Sequence, residues 1–149
     1  MKVGFLLGSF DPIHMGHLHM AAAVLNCELV DEVVFVPSVQ NPWKTDSTDF
    51  RNRCFMIQLA IDNIPGCVLS CADYRTPEPH YSSNVLEILK EEYPDDELYL
   101  IRGFISARYS SFHNIIKHSN VGRYTVGKCF GCGACIICAH QRAHEFTVC

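Results

Sequence analysis

No run in this 149-residue chain approaches the roughly 20 consecutive apolar residues of a bilayer span, so no membrane partner is expected. The opening MKVGFLLGSFDP has one lysine and a short apolar run that Asp11 closes, too short for a signal-peptide core. A cytoplasmic location is therefore expected. Charge of one sign is also scarce: 12 Lys and Arg against 16 Asp and Glu leave a net charge of −4, with no basic cluster to track a nucleic acid backbone. Neither a G-x-S-x-G elbow nor a G-x-x-x-x-G-K-S/T loop occurs, so the hydrolase nucleophile and the P-loop phosphate cradle lack their signatures. Internal repeats are absent. Proline is missing after Pro94, and beyond about residue 120 the charge balance reverses, with 3 basic residues against 1 acidic one. The expected organisation is one domain over residues 1–120 and a separate cysteine-rich tail over 121–149.

What is present is a globular composition, 48% apolar and 19% charged. Four short apolar runs, VGFLL (3–7), VVFV (33–36), CVLS (67–70) and ELYLI (97–101), alternate with amphipathic stretches. Continuous apolar strands indicate burial on both faces, the pattern of a parallel sheet covered by crossover helices. Helical spacing links Leu18, Ala21, Ala22 and Leu25; Met56, Leu59 and Ala60; and Val85, Leu86, Ile88 and Leu89. The pattern predicts an open, doubly wound α/β sheet with helices on both faces, its ligand crevice beyond the carboxyl ends of the strands.

Nine cysteines are many for this length. Cys27, Cys54, Cys67 and Cys71 fall in segments that read as buried strands and helices, where a thiol behaves as a small hydrophobe. The other five lie between Cys129 and Cys149. An odd count and this crowding favour reduced thiols over a disulfide framework.

The segment GSFDPIHMGHL, residues 8–18, follows the first strand and opens the first helix. A helix start offers unpaired N–H groups and a positive partial charge, so a phosphate finds donors and a favourable field there. Gly8 and Gly16 allow close approach of the chain, and His14 and His17, three apart, share a face in a first helical turn. Imidazoles so placed can donate to charge developing on phosphorus. The alternative is a plain strand-to-helix turn in which Asp11-Pro12 starts the bend and the histidines cap or pack.

GSFDPIHMGHL resembles the HxGH signature of the nucleotidyltransferase superfamily, which has a Rossmann-like fold. FVPSVQNPWK (35–44), RNRCFMIQLAI (51–61) and HYSSNVLEILKEEYP (80–94) are similar to stretches of bacterial-type nicotinate-nucleotide adenylyltransferases, and the resemblance covers roughly residues 1–103. It implies transfer of an adenylyl group from ATP to nicotinate or nicotinamide mononucleotide with release of pyrophosphate, in pyridine nucleotide biosynthesis. The partners would be small molecules, with Mg2+ arriving on the ATP. Gly8, Ser9, Phe10, Gly16 and Gly103 would cradle the nucleotide, and His14, His17 and Lys44 would act on its phosphates. Tyr81, Ser82 and Phe112 would lie near the mononucleotide. Ser82 or Ser83 also reads as a helix N-cap, and Arg51 and Arg53 as solvated charges of a first helical turn.

Two departures from the family qualify this. RGFISARYSSFHNI (102–115) has Gly103 but no aspartate, and Phe112 or His113 stands where the family has tryptophan; the family's later serine-serine-threonine motif is missing from the chain. In its place Cys129, Cys132, Cys135 and Cys138 are evenly spaced by three, a partial match to a cluster-binding run, with His140 and His144 as further zinc-type ligands. Three other readings therefore accompany the first: a metal-binding or redox protein built on these cysteines, a nucleotide-binding relative without turnover, and another small-phosphate adenylyltransferase such as a pantetheine-phosphate one. The sequence carries no signal for oligomeric state.

Overall fold

In the computed structural model the described residues are 1–39, 47–78, 80, 82–103, 124–128 and 134–139. Four of the strands follow the apolar runs: β1 (Lys2–Gly8), β2 (Glu32–Pro37), β3 (Cys67–Leu69) and β4 (Glu97–Gly103). Helices α1 (Met15–Asn26), α2 (Phe50–Ile61) and α3 (Ser82–Glu92) connect them, with a 3-10 turn at Ala72–Arg75 ahead of α3. β1 pairs in parallel with β2 and with β4, and β2 with β3, giving the order β3-β2-β1-β4.

Both faces of this sheet are buried, and strand alternation sorts its side chains cleanly. Leu6, Val33, Phe35, Tyr99 and Ile101 pack with Ala21 and Val24 of α1 and Ile57 and Ile61 of α2. Val3, Phe5, Val34 and Val36 face the other way, against Val85 and Leu89 of α3. The crossovers through α1 and α2 thus lie on one face and the crossover through α3 on the other. The sheet order reverses direction at β1, so the topological switch point, where such sheets take their ligands, lies at the carboxyl ends of β1 and β4.

Three expectations need correction. The stripe of α2 that meets the sheet is Arg53, Ile57 and Ile61, spaced by four, whereas Leu59 is 63% exposed. Of the cysteines of the first hundred residues, only half-buried Cys67 packs against the core; Cys27 and Cys71 are exposed and Cys54 is half-buried away from that cluster. The segment after residue 120, read as a separate tail, supplies two strands to the same sheet. These are β5 (Tyr124–Lys128) and β6 (Ala134–Ala139). β6 runs antiparallel to β4 and β5 antiparallel to β6, so the full order is β3-β2-β1-β4-β6-β5. The register sets Cys135 opposite Arg102 and Cys138 opposite Tyr99.

Candidate active site

The first strand delivers the site. β1 ends at Gly8, and Ser9 and Phe10 carry the chain to a cis Asp11-Pro12 peptide before α1 begins at Met15. Phe10 adopts φ 48°, a left-handed conformation that costs a side-chain-bearing residue about 1–2 kcal/mol. Its ring is fully buried, edge-on to His17 and tilted against Phe35, with centroid separations of 4.8 and 5.7 Å. Burial of that ring, worth about 1.5–3 kcal/mol, offsets the strain and fixes the turn into the helix.

His14 is the N-cap of α1. Its Nδ1 accepts from the Gly16 backbone N–H at 3.1 Å, and His17 Nδ1 accepts from the His14 N–H at 3.2 Å. This reciprocal pair is a capping box made with imidazoles in place of the usual hydroxyl and carboxamide. The two rings stack with centroids 3.8 Å apart. An Nδ1 that accepts a backbone hydrogen has no proton of its own, so each neutral ring carries its hydrogen on Nε2. The cap thus fixes the tautomer of both histidines and leaves both Nε2–H groups as donors. His14 is exposed and His17 half-buried. Burial, and secondarily the neighbouring His14, hold the His17 imidazole below its ordinary pKa of 6.5, favouring the neutral donor form. A Cβ on Gly16 would lie 2.9 Å from His14 Cε1, so the ring occupies space that any other residue would contest.

The residue that organises the neighbouring loops is one the sequence reading took for a solvated charge. Arg53 is 1% exposed. Its guanidinium donates to the carbonyls of Ser9 (2.6 Å), Ser38 (2.8 Å), Val39 (3.1 Å) and Thr48 (2.8 Å), and it lies over the Phe50 ring. One fixed fork of donors thereby joins the turn after β1, the end of β2 and the segment leading into α2. Asp73, also buried, receives the Val39 N–H on Oδ2 at 2.6 Å, so Val39 is held through both of its backbone groups. Thr76 Oγ1 bonds to the Asp73 carbonyl at 2.8 Å and meets His80 Nδ1 at 2.7 Å, bracing that carboxylate's segment. The sequence held a signal for Arg53: it sits four residues before Ile57 and eight before Ile61, on the stripe that packs inward.

Gly8, Ser9, Phe10, His14, Gly16 and His17 come together at the carboxyl end of β1 and the start of α1. Gly103 closes the adjacent strand β4, and Ser82 is the exposed first residue of α3. Because α3 begins at Ser82, Ser82 and Ser83 lie inside the helix rather than capping it. Lys44, Tyr81 and Phe112 lie outside the described residues, as do Cys129 and Cys132. Cys135 and Cys138 stand three positions apart in β6. Among the described residues no three metal-ligating side chains converge, and no helix is long and apolar enough to cross a membrane.

A Rossmann-like sheet with a histidine-capped helix start at its switch point defines a nucleotidyltransferase-type fold. The family model described as cytidylyltransferase-like matches residues 5–127, and the chain belongs to that family. Among curated relatives it is 36% identical to the probable nicotinate-nucleotide adenylyltransferase of Bacteroides thetaiotaomicron, over 81% of this chain and 63% of that protein. It is 38% identical to the nicotinate-nucleotide adenylyltransferase of Bacillus subtilis, over 68% of this chain and 55% of that protein. The chain thus spans between about half and two thirds of the length of these relatives. Among solved structures, the Plasmodium falciparum nicotinic acid mononucleotide adenylyltransferase complexed with NaAD superimposes with a TM-score of 0.55 at 23% identity, covering 66% of this chain and 50% of the other. That likeness supports the shared fold.

Proposed function

We propose that this chain is an adenylyltransferase of pyridine nucleotide biosynthesis, joining ATP to nicotinate mononucleotide and releasing pyrophosphate. The observation that carries the reading is the imidazole capping box, which presents two Nε2–H donors at the mouth of α1. The names of the curated relatives support the substrate class.

A phosphate oxygen of the mononucleotide attacks the α-phosphorus of ATP in line, the bond to the bridging oxygen breaks, and pyrophosphate leaves. Such a transfer depends on holding two highly charged partners together and stabilising charge around phosphorus, and needs no protein nucleophile. His14 and His17 donate from Nε2 to the phosphate oxygens, while the field of the α1 start adds to theirs. Arg53 keeps the Ser9 and Ser38–Val39 backbone in place for the nucleotide, Lys44 neutralises triphosphate charge, and Ser82 contributes to the mononucleotide subsite. Magnesium belongs to the substrate, bound to the triphosphate and retaining most of its waters. The reaction is assigned to the cytoplasm.

The test is pyrophosphate release from purified protein offered ATP with nicotinate mononucleotide, nicotinamide mononucleotide or phosphopantetheine. Release dependent on a pyridine mononucleotide is expected. ATP binding without release from any of the three would reject turnover and leave a nucleotide-binding relative.

A further inference from the structure

The sulfur atoms of Cys54 on α2 and Cys71, just before the 3-10 turn, lie 3.9 Å apart, and both thiols are free. They come from elements that pack together nearby: Phe50 of α2 stacks on Tyr74 of the turn with a centroid distance of 5.8 Å. Arg75 of the same turn pairs with Glu92 of α3, which holds the turn from its other side. The two sulfurs are therefore held opposite one another by packing on either flank. A disulfide needs them to close to about 2.05 Å.

We propose that Cys54 and Cys71 form a thiol–disulfide exchange site that reacts with small-molecule disulfides of the glutathione type. The two thiols have different roles. Cys71 is exposed and meets the reagent first. Cys54 is half-buried, and its thiol is pushed up to about 11 by burial and then by the neighbouring Cys71, so it serves as the resolving partner. In the first step Cys71 gives its proton to water and its thiolate attacks one sulfur of the small disulfide. A Cys71–glutathione bond forms, the original S–S bond breaks, and one glutathione leaves as thiol after taking up a proton. Capping Cys71 removes its effect on Cys54, leaving burial opposed by the Arg53 guanidinium. Cys54 then loses its proton and attacks the Cys71 sulfur, forming the internal disulfide and releasing the second glutathione. Two protein thiols are oxidised and one small disulfide is reduced to two thiols. Excess glutathione reverses both steps.

The site is independent of the activity proposed above, although Cys54 adjoins Arg53 and Cys71 lies two residues before Asp73. The full chain, reduced and then incubated with oxidised glutathione, is alkylated, digested and mapped by mass. The expected result is a peptide pair joined through Cys54 and Cys71 with the loss of two hydrogens, in monomeric protein, and a thermal midpoint raised by about 5 °C. In Cys54→Ser the reaction stops with glutathione on Cys71. In Cys71→Ser, Cys54 is modified on the order of tenfold more slowly than Cys71 is in Cys54→Ser. Circular dichroism shows whether each serine variant retains its fold. Glutathione that stays on Cys71 in the unsubstituted chain, or linkage of Cys54 and Cys71 to other cysteines in preference to each other, overturns the proposal.

Discussion

At the scale of single residues, two imidazoles cap a helix and keep their outward nitrogens as donors, so structure and proposed chemistry draw on the same side chains. His17→Ala is expected to lower adenylyl transfer by at least about a hundredfold, the order of one lost charge-stabilising donor. Loss of the cap interaction should cost about 0.5–2 kcal/mol of stability. Steady-state kinetics and thermal denaturation of the one variant separate the two effects. Acid should act through the same atoms. The His17 pKa is lowered by folding, so below about 6.5 the unfolded chain takes the proton more readily than the folded one. His17's share of stability is thus intact above 6.5 and falls as the pH drops from there through the folded value. Denaturant titrations across that range should show the decline, and His17→Ala should flatten it. Gly16→Ala is expected to displace the His14 ring and raise the KM for ATP, with less effect on thermal stability. The sequence singles this segment out because two glycines and two histidines at this spacing fall between the first strand and the first helix. Capping by the histidines stands in the sequence only as the alternative to a phosphate site, and the reciprocal pairing through both Nδ1 atoms is not legible there, because the ranking of N-cap residues favours Ser, Thr, Asp and Asn.

At the scale of elements, α3 matches the periodicity read from the chain, α1 matches it at Leu18, Ala21 and Leu25 but buries Val24 in place of Ala22, and α2 does not match it. Apolar residues on α2 outnumber those its buried stripe can use, and a charged residue occupies one of the inward positions. A pattern search that counts hydrophobes therefore selects Leu59 and passes over Arg53. Side-chain periodicity cannot show that four backbone carbonyls from other segments converge on a guanidinium, because those carbonyls belong to every sequence alike. Arg53→Met should leave buried acceptors without donors and destabilise the protein by about 3 kcal/mol or more, read as a shift in the denaturant midpoint. Arg53→Lys, with a compact charge and no fork, should recover only part of that loss.

At the scale of the whole molecule, the four parallel strands and their covering helices were readable from continuous apolar runs, because burial on both sides leaves little room for polar positions. The antiparallel pair β5 and β6 was not, since ACIICA holds two, and YTVGK precedes all four, of the cysteines whose even spacing suggested metal chemistry. Six register positions, Leu98 to Gly103, join β4 to β6. Truncation after residue 120 should therefore lower the thermal midpoint and promote self-association through the bared edge of β4, as size-exclusion chromatography would report. If the segment were an independent tail, neither would change.

The guanidinium inside α2 also bears on how the crevice admits its guests. With the turn after β1, the end of β2 and the approach to α2 tethered to one point, that side of the cleft behaves as a single rigid jaw. On the proposed reading, accommodating two nucleotides is then the task of the β4 side, and substitutions at the end of β4 should alter entry and exit rates more than those in the jaw itself.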